Sequence, residues 1–273
     1  MKNHISLFIF AIALLSGPVS ANDLSMTAVK DTLASIPGEH NYIYVRTPLG
    51  EDEEKNYDEI TFYDGLGREL DFAQSYGADR AGAIMAHHHL IEYDSLGRKE
   101  KQWLSTNTSF SYMSPEDLKG GVLWDYHDAG KRSYLQTNYE SSPLNRITEQ
   151  YGVGDAWGDH PARMEYLTNI PADSLRCSFY FIDDNDSLIR RGDYRSGELQ
   201  VTKATDEDGK PTYTFVDKQG RTLLTRLGRG NQQADTYFVF DRFGRIRYVL
   251  PPMINDEISA GNLDLYAYQY LYD

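Results

Sequence analysis

Cysteine is almost absent: Cys177 is the only one in 273 residues. No internal disulfide can form, so even in an oxidising compartment the chain must rely on packing and hydrogen bonding. Long apolar runs are missing after Leu15, so no later stretch can cross a bilayer as a helix. Positive charge is scarce, with 27 Lys and Arg against 41 Asp and Glu and a net charge of −14. That balance disfavours nucleic-acid backbones and anionic lipid surfaces as partners. Catalytic signatures are lacking too: there is no Gly-x-Ser-x-Gly elbow and no His-Glu-x-x-His. The sequence offers no catalytic, cofactor-binding or metal-ligating residue, and the chain reads as a non-enzyme.

The N-terminus carries its own signal. Lys2 precedes an apolar run from Ile5 to Leu15, broken by Ser16-Gly17-Pro18 and closed by Val19-Ser20-Ala21. This is the layout of a secretory signal peptide cleaved after Ala21. The run is too short for a transmembrane anchor, and Cys177 lies too far downstream for an N-terminal lipid anchor. Export to the periplasm, the cell surface or the medium is expected. The mature chain would keep 252 residues and a charge of −15.

What the sequence has in abundance is aromatic residues, 13% of the total with 21 tyrosines, and a recurring phrase. An aromatic or aliphatic residue is followed by Asp, two variable positions, Gly and Arg. It occurs at Tyr63-Asp64-Gly65-Leu66-Gly67-Arg68 and Tyr93-Asp94-Ser95-Leu96-Gly97-Arg98. Further copies are Val216-Asp217-Lys218-Gln219-Gly220-Arg221 and Phe240-Asp241-Arg242-Phe243-Gly244-Arg245. Tyr126-His127-Asp128-Ala129-Gly130-Lys131 is a degenerate copy, and Tyr272-Asp273 opens another. Such periodicity decides the architecture before anything else does.

The phrase encodes a β-hairpin. Asp at the first position of a type I turn accepts hydrogen bonds from turn amides, and Gly three residues later takes the positive φ that returns the chain. The Asp-to-Arg sign change permits an ion pair at each turn, worth at most about 1 kcal/mol if exposed. The flanks alternate with period two: Ile60 and Phe62 against Glu59, Thr61 and Tyr63, and Leu70 and Phe72 against Glu69 and Asp71. The expected class is all-β: successive antiparallel hairpins in one large curved sheet, with one or two short helices. The structural turn residues are Asp64, Gly67, Arg68, Asp94, Gly97, Arg98, Asp217, Gly220, Arg221, Asp241, Gly244 and Arg245.

These residues resemble the YD repeat of RHS proteins, large secreted or surface-displayed bacterial proteins. The stretch from Asn41-Tyr42-Ile43-Tyr44 to Pro251-Pro252 resembles the domain of unknown function that opens Bacteroidetes-type members. Asp58-Glu59-Ile60, Ser142-Pro143-Leu144-Asn145-Arg146, Gln150-Tyr151-Gly152 and Tyr248-Val249-Leu250-Pro251-Pro252 carry it. The resemblance implies a β-sheet that spirals into a hollow shell, often around a C-terminal toxin. It makes this chain an opening wall segment of a truncated or partial protein, partnered by the rest of the shell or a downstream toxin domain. No Asp-Pro-rich closing segment and no toxin-like segment is recognisable. The alternative is a secreted carbohydrate- or surface-binding, adhesin-like β module, with Trp103, Trp124 and Trp157 as ring platforms.

The segments follow: signal peptide 1–21, leader 22–40 with a helical stretch from Thr27 to Ile36, first hairpins 41–125, irregular middle 126–175, second hairpins 176–273. Ser114-Pro115 should start a short helix that Gly120-Gly121 ends. Leu265 to Tyr272 reads as a strand arriving at an incomplete turn, an exposed edge that invites pairing. His87 and His89 share a strand face in the spacing of some zinc sites, but no further ligand is evident, so a polar face is expected. Glu51 to Glu54 reads as a solvated loop. Asp183-Asp184-Asn185-Asp186 and Asp206-Glu207-Asp208-Gly209 resemble calcium-loop fragments without the closing Glu; the second is a turn. Tyr151 to Gly158 is Gly-rich without phosphate-loop spacing and reads as a covering loop. Cys177, in an apolar strand context, reads as a buried inert thiol. Asp-Thr-Leu or Asp-Ser-Leu at Thr32, Ser95, Ser174 and Ser187 resembles a Bacteroidetes O-glycosylation acceptor.

Overall fold

The computed structural model describes residues 26–34, 36–38, 40–48, 56–78, 83–127, 130–228, 233–254 and 258–272. The signal peptide, Glu51 to Glu54, Asp128 and Asp273 lie outside the described residues. The chain divides into two compact units, one of residues 1–138 with 151–159, the other of 139–150 with 160–273.

The first unit runs α1 (Met26–Ala34), β1 (Asn41–Pro48), β2 (Asn56–Tyr63), β3 (Glu69–Ala78), β4 (Ile84–Tyr93), β5 (Lys99–Trp103), β6 (Thr106–Ser109), α2 (Pro115–Asp125) and most of β7 (Tyr134–Tyr139). The strands lie in the order β1-β2-β3-β4-β5-β7, with β6 pairing β4. Every pair is antiparallel, and β4 gives its first half to β6 and its last three residues to β5. Strand β2 shows why the chain is extended here: Asn56, Asp58, Ile60 and Phe62 are buried while the residues between them are partly exposed. Ile60 sits opposite Tyr44 on one side and Ala73 on the other, and Val29 of α1 joins the same core.

The second unit contains β8 (Ile147–Tyr151) up to Gln150, then β9 (Ala162–Thr168), β10 (Ser178–Ile182), β11 (Leu188–Asp193), β12 (Gln200–Thr205), β13 (Pro211–Val216), β14 (Thr222–Leu227), β15 (Ala234–Phe240), β16 (Ile246–Leu250), α3 (Ala260–Tyr266) and β17 (Tyr268–Gln269). The sheet order is β8-β9-β12-β13-β14-β15-β16-β17, and β10 with β11 forms a separate hairpin. That hairpin packs on the sheet through Tyr180 against Tyr237, with ring centres 4.8 Å apart. Cys177 is buried in this core beside Leu199, Phe215 and Leu224. Arg226, 2% exposed, ties the segment before β10 to the sheet. It donates to Asp235 and to the carbonyls of Ser174 and Arg176.

The all-β hairpin class is what the chain adopts, with four local differences from the sequence reading. Helix α2 does not stop at Gly120-Gly121 but runs through both to Asp125. A Cβ on Gly121 would lie 2.6 Å from the Thr106 hydroxyl, so the glycine permits close approach to β6 rather than ending the helix. Leu265 and Tyr266 are not strand: they close α3, capped by Ser259, leaving only two residues for β17. There are thus three α-helices among the described residues, not one or two. Residues 126–175, expected to be irregular, hold β7, β8 and β9.

The fourth difference concerns facing. After each of the four turns the outgoing strand carries one extra residue: Leu70, Glu100, Leu223 and Arg247. A one-residue bulge exchanges the faces of everything beyond it. In β3 the buried face is therefore Asp71, Ala73 and Ser75, while Phe72 looks to the half-exposed side. In β14 and β16 two consecutive residues are buried for the same reason.

Candidate functional site

Each of the four full phrases builds one and the same knot. In the first, Asp64 Oδ1 accepts from the amides of Leu66 at 2.9 Å and Arg68 at 3.0 Å, and Oδ2 accepts from Arg68 Nε at 2.7 Å. The Gly67 amide donates to the Asp64 carbonyl, and Gly67 has φ 76°. Asp94 with Gly97 and Arg98, Asp217 with Gly220 and Arg221, and Asp241 with Gly244 and Arg245 repeat the arrangement, their Arg Nε donating over 2.7, 2.8 and 2.9 Å. The carboxylate is fully engaged, which lowers its proton affinity. For Asp64 the Arg68 amide is the main cause, helped by the guanidinium and the Leu66 amide. For Asp94, Asp217 and Asp241 burial opposes ionisation, but the hydrogen bonds from the following Arg outweigh it.

Two further acidic stretches are the same turn without the Arg. Asp183 accepts from the amides of Asn185 and Ser187, with Asp186 in the glycine position at φ 64°. Asp206 accepts from Asp208 and Lys210 amides, with Gly209 at φ 77°. Their leading carboxylates are spent on the backbone. Among the described residues no group of three or more His, Cys, Asp or Glu is placed to hold a metal ion. His87 and His89 do share the half-buried face of β4, and His87 stacks on Tyr76 at 4.4 Å.

The knots also reach outward. The Arg68 guanidinium lies over the Tyr93 ring at 4.5 Å, and the Tyr93 hydroxyl donates to the carbonyl of Glu69, the residue after Arg68. Arg221 lies over Phe240 at 4.9 Å. Arg245 lies over Tyr272 at 4.5 Å, and the Tyr272 hydroxyl donates to the carbonyl of Ile246, again the residue after the Arg. Thus for Arg68, Arg221 and Arg245 the aromatic that opens the next phrase is the seat of the Arg. The glycine completes the seat: a Cβ on Gly97 would lie 3.0 Å from Arg68 Nη1, and one on Gly244 3.8 Å from Arg221 Nη1.

One hairpin joins this relay without the phrase. Arg146 is held bidentately by Glu140, both bonds 2.7 Å, with Asn145 in the positive-φ position. It stacks on Tyr166 at 4.6 Å, whose hydroxyl donates to the carbonyl of Ile147. In the sequence Arg146 stands out only as part of the RHS resemblance, and Asp155 does not stand out. In the degenerate turn the Asp position is His127, which has no carboxylate. Asp155, from the Gly-rich stretch, replaces it by accepting from the amides of Lys131 and Arg132 at 3.2 and 3.1 Å.

A third omission is His88, buried with Asp71. Its Nδ1 lies 2.6 Å from Asp71 Oδ2 and its Nε2 2.9 Å from the Ser109 carbonyl. A carbonyl only accepts, so Nε2 is the donor to Ser109, and the Asp71 carboxyl faces the other ring nitrogen. The tryptophans form no shared platform. Trp103 donates to Glu92 and packs on Tyr134, Trp157 lies against Gly152, and Trp124 is exposed on α2.

Residues 41–168 match the family described as Domain of unknown function (DUF6443). The match starts at Asn41, where the RHS-type resemblance also starts, and takes in the first two knots and Arg146. No curated protein matches the chain. Among solved structures, the crystal structure of TcdB2-TccC3-Cdc42 is similar with a TM-score of 0.48 and 14% identity, covering 80% of this chain and 10% of that one. The crystal structure of TcdB2-TccC3 gives 0.46 and 13%, covering 89% and 12%. The chain spans about a tenth of the length of those proteins.

Proposed function

We propose that this chain is a secreted, non-enzymatic wall segment of an RHS/YD-repeat shell, serving a larger protein of the toxin-associated or surface type. The relay of Arg onto the next hairpin's aromatic is the observation that carries this reading. At Arg68, Arg221 and Arg245 it gives a hairpin a built-in receptor for its successor, which is what a continuous wall needs and a catalytic cleft does not. The Asp carboxylates at the turns are consumed by the backbone and by Arg, so they serve geometry. The apolar N-terminal run and its small-residue end support export, and the scarcity of cysteine is compatible with a wall held by hydrogen bonding. The partners under this reading are further hairpins of the same phrase, downstream or on another polypeptide, and a toxin domain that such a wall encloses.

Cross-linking mass spectrometry on protein from the native host tests it. The expected result is a mature N-terminus at Asn22 and cross-links from residues 258–272 to peptides bearing Tyr-Asp-x-x-Gly-Arg. A monomer of uncleaved mass, cross-linked only within itself, would overturn the proposal.

A further inference from the structure

The second unit contains an open concavity. Its volume is about 670 Å³, within the range of small-molecule sites. It lies between the β10–β11 hairpin and the third turn, with Phe179 and Tyr194 as its aromatic wall. These two rings meet edge to face at 4.9 Å. A narrower cavity of about 240 Å³ shares Phe179, Tyr194 and Arg221 with it and continues along the apolar side of the hairpin. Both spaces are open to solvent.

Its charge is the informative part. The carboxylates that line it are already engaged. Asp217 is held by Arg221 and two amides, Asp193 accepts from Arg190, and Glu198 accepts from the Arg195 amide. Arg191, Arg195 and Lys218 line the same space, are exposed, and have side chains with no ion pair or hydrogen bond among the described residues. Three unspent cations therefore converge on one aromatic-walled cleft of a chain whose net charge is −14. The Tyr194 hydroxyl likewise has no partner among the described residues. Burial keeps its phenol protonated far above neutral pH, so it is available as a donor.

We propose that this cleft binds an acidic oligosaccharide, carboxylated or sulfated. The aromatic wall would take the apolar face of a sugar ring, and the Tyr194 hydroxyl would bond a sugar oxygen. Arg191, Arg195 and Lys218 would take the anionic groups of successive residues. A single inorganic anion would not use the rings. The turn amides of Gln219 and Arg221 that border it are spent on Asp217, so they offer no cradle for a nucleotide's phosphates. The site uses the third turn as one wall, so a structural motif would double as part of a binding surface. It depends on the second unit alone and holds whether or not the chain belongs to a shell.

The test is isothermal titration of the whole signal-cleaved chain with trigalacturonate, a sulfated chondroitin tetrasaccharide, neutral galactotriose and sodium sulfate. One or both acidic probes are expected to bind one to one with a Kd of about 100 μM or tighter, and to weaken with added salt. Galactotriose should bind at least about tenfold more weakly. The triple variant Arg191→Ala, Arg195→Ala, Lys218→Ala should lose about tenfold or more, and Tyr194→Phe about threefold, each with unchanged circular dichroism and melting. Absence of heat with both acidic probes would overturn the proposal. So would equal binding of galactotriose, an unaffected triple variant, or sulfate binding as tightly as the sugars.

Discussion

The Arg68 guanidinium carbon stands 4.5 Å from the centre of the Tyr93 ring, while Arg68 Nε donates to Asp64. One side chain thus closes its own turn and grips the aromatic that opens the next. A guanidinium suits this double task because its planar fork can bond a carboxylate in plane while its face lies on a ring.

The seat under Arg68 predicts unequal glycine substitutions. Gly67 and Gly97 both have positive φ, so alanine at either costs about 1–2 kcal/mol from backbone strain. A Cβ on Gly67 meets nothing within 4 Å, whereas one on Gly97 displaces Arg68 Nη1. Gly97→Ala should therefore be the more damaging by urea unfolding, and removing the Arg68 head group should erase the difference. Equal costs would argue that the glycine serves the turn alone.

Acid should loosen these knots. Asp64, Asp94, Asp217 and Asp241 titrate below the ordinary carboxylate range, and Glu140 is held down to about 2, chiefly by the Arg146 side chain. A lowered folded value gives stability that is complete above the unfolded value and lost as pH falls through the folded one. The melting temperature should thus hold from neutrality to about pH 4.5 and decline from there toward about pH 2. Replacing the four Asp by Asn should lower the plateau and flatten the decline; an unchanged slope would place the acid response elsewhere.

The local half of this design was legible and the long-range half was not. Asp, Gly and Arg of each turn lie within five consecutive residues, so turn chemistry exposes them. The ring that receives Arg68 lies 25 residues on, and the ring for Arg221 only 19, so no fixed spacing advertises the pairing. Helix α3 is hidden because Tyr266, Tyr268, Tyr270 and Tyr272 favour strands, while the Ser259 cap precedes them. The inverted face of β3 was hidden by the bulge at Leu70, because alternation read straight through it puts Phe72 inside. The candidate cleft was invisible because Phe179, Arg191, Arg195 and Lys218 converge only in three dimensions.

Asp155 should behave as a turn residue although it lies far from the turn it caps. Asp155→Ala removes two amide hydrogen bonds and should cost about 1–2 kcal/mol. Gly130, with φ 72°, would bring a Cβ to 2.1 Å from Asp155 Oδ2. Gly130→Ala should therefore be severe alone and milder in the Asp155→Ala background, as read by thermal melting of the four proteins. Simple additivity would separate the two residues.

His88 and Asp71 should be expensive to part and cheap to replace together. Both are nearly fully buried, and Asp71 Oδ1 has no hydrogen-bond partner among the described residues. His88→Leu leaves a buried carboxylate alone and should cost about 3–5 kcal/mol in denaturant unfolding. Adding Asp71→Val should recover part of that loss. A double variant worse than His88→Leu would mean that the pair does more than satisfy itself.

The hairpin relay is measured most directly by a double-mutant cycle on Arg68→Ala and Tyr93→Leu, with urea unfolding of all four proteins. The account predicts a coupling of about 0.5–2 kcal/mol between the two positions. Additivity within about 0.3 kcal/mol would contradict it, because Arg68 would then serve only its own turn.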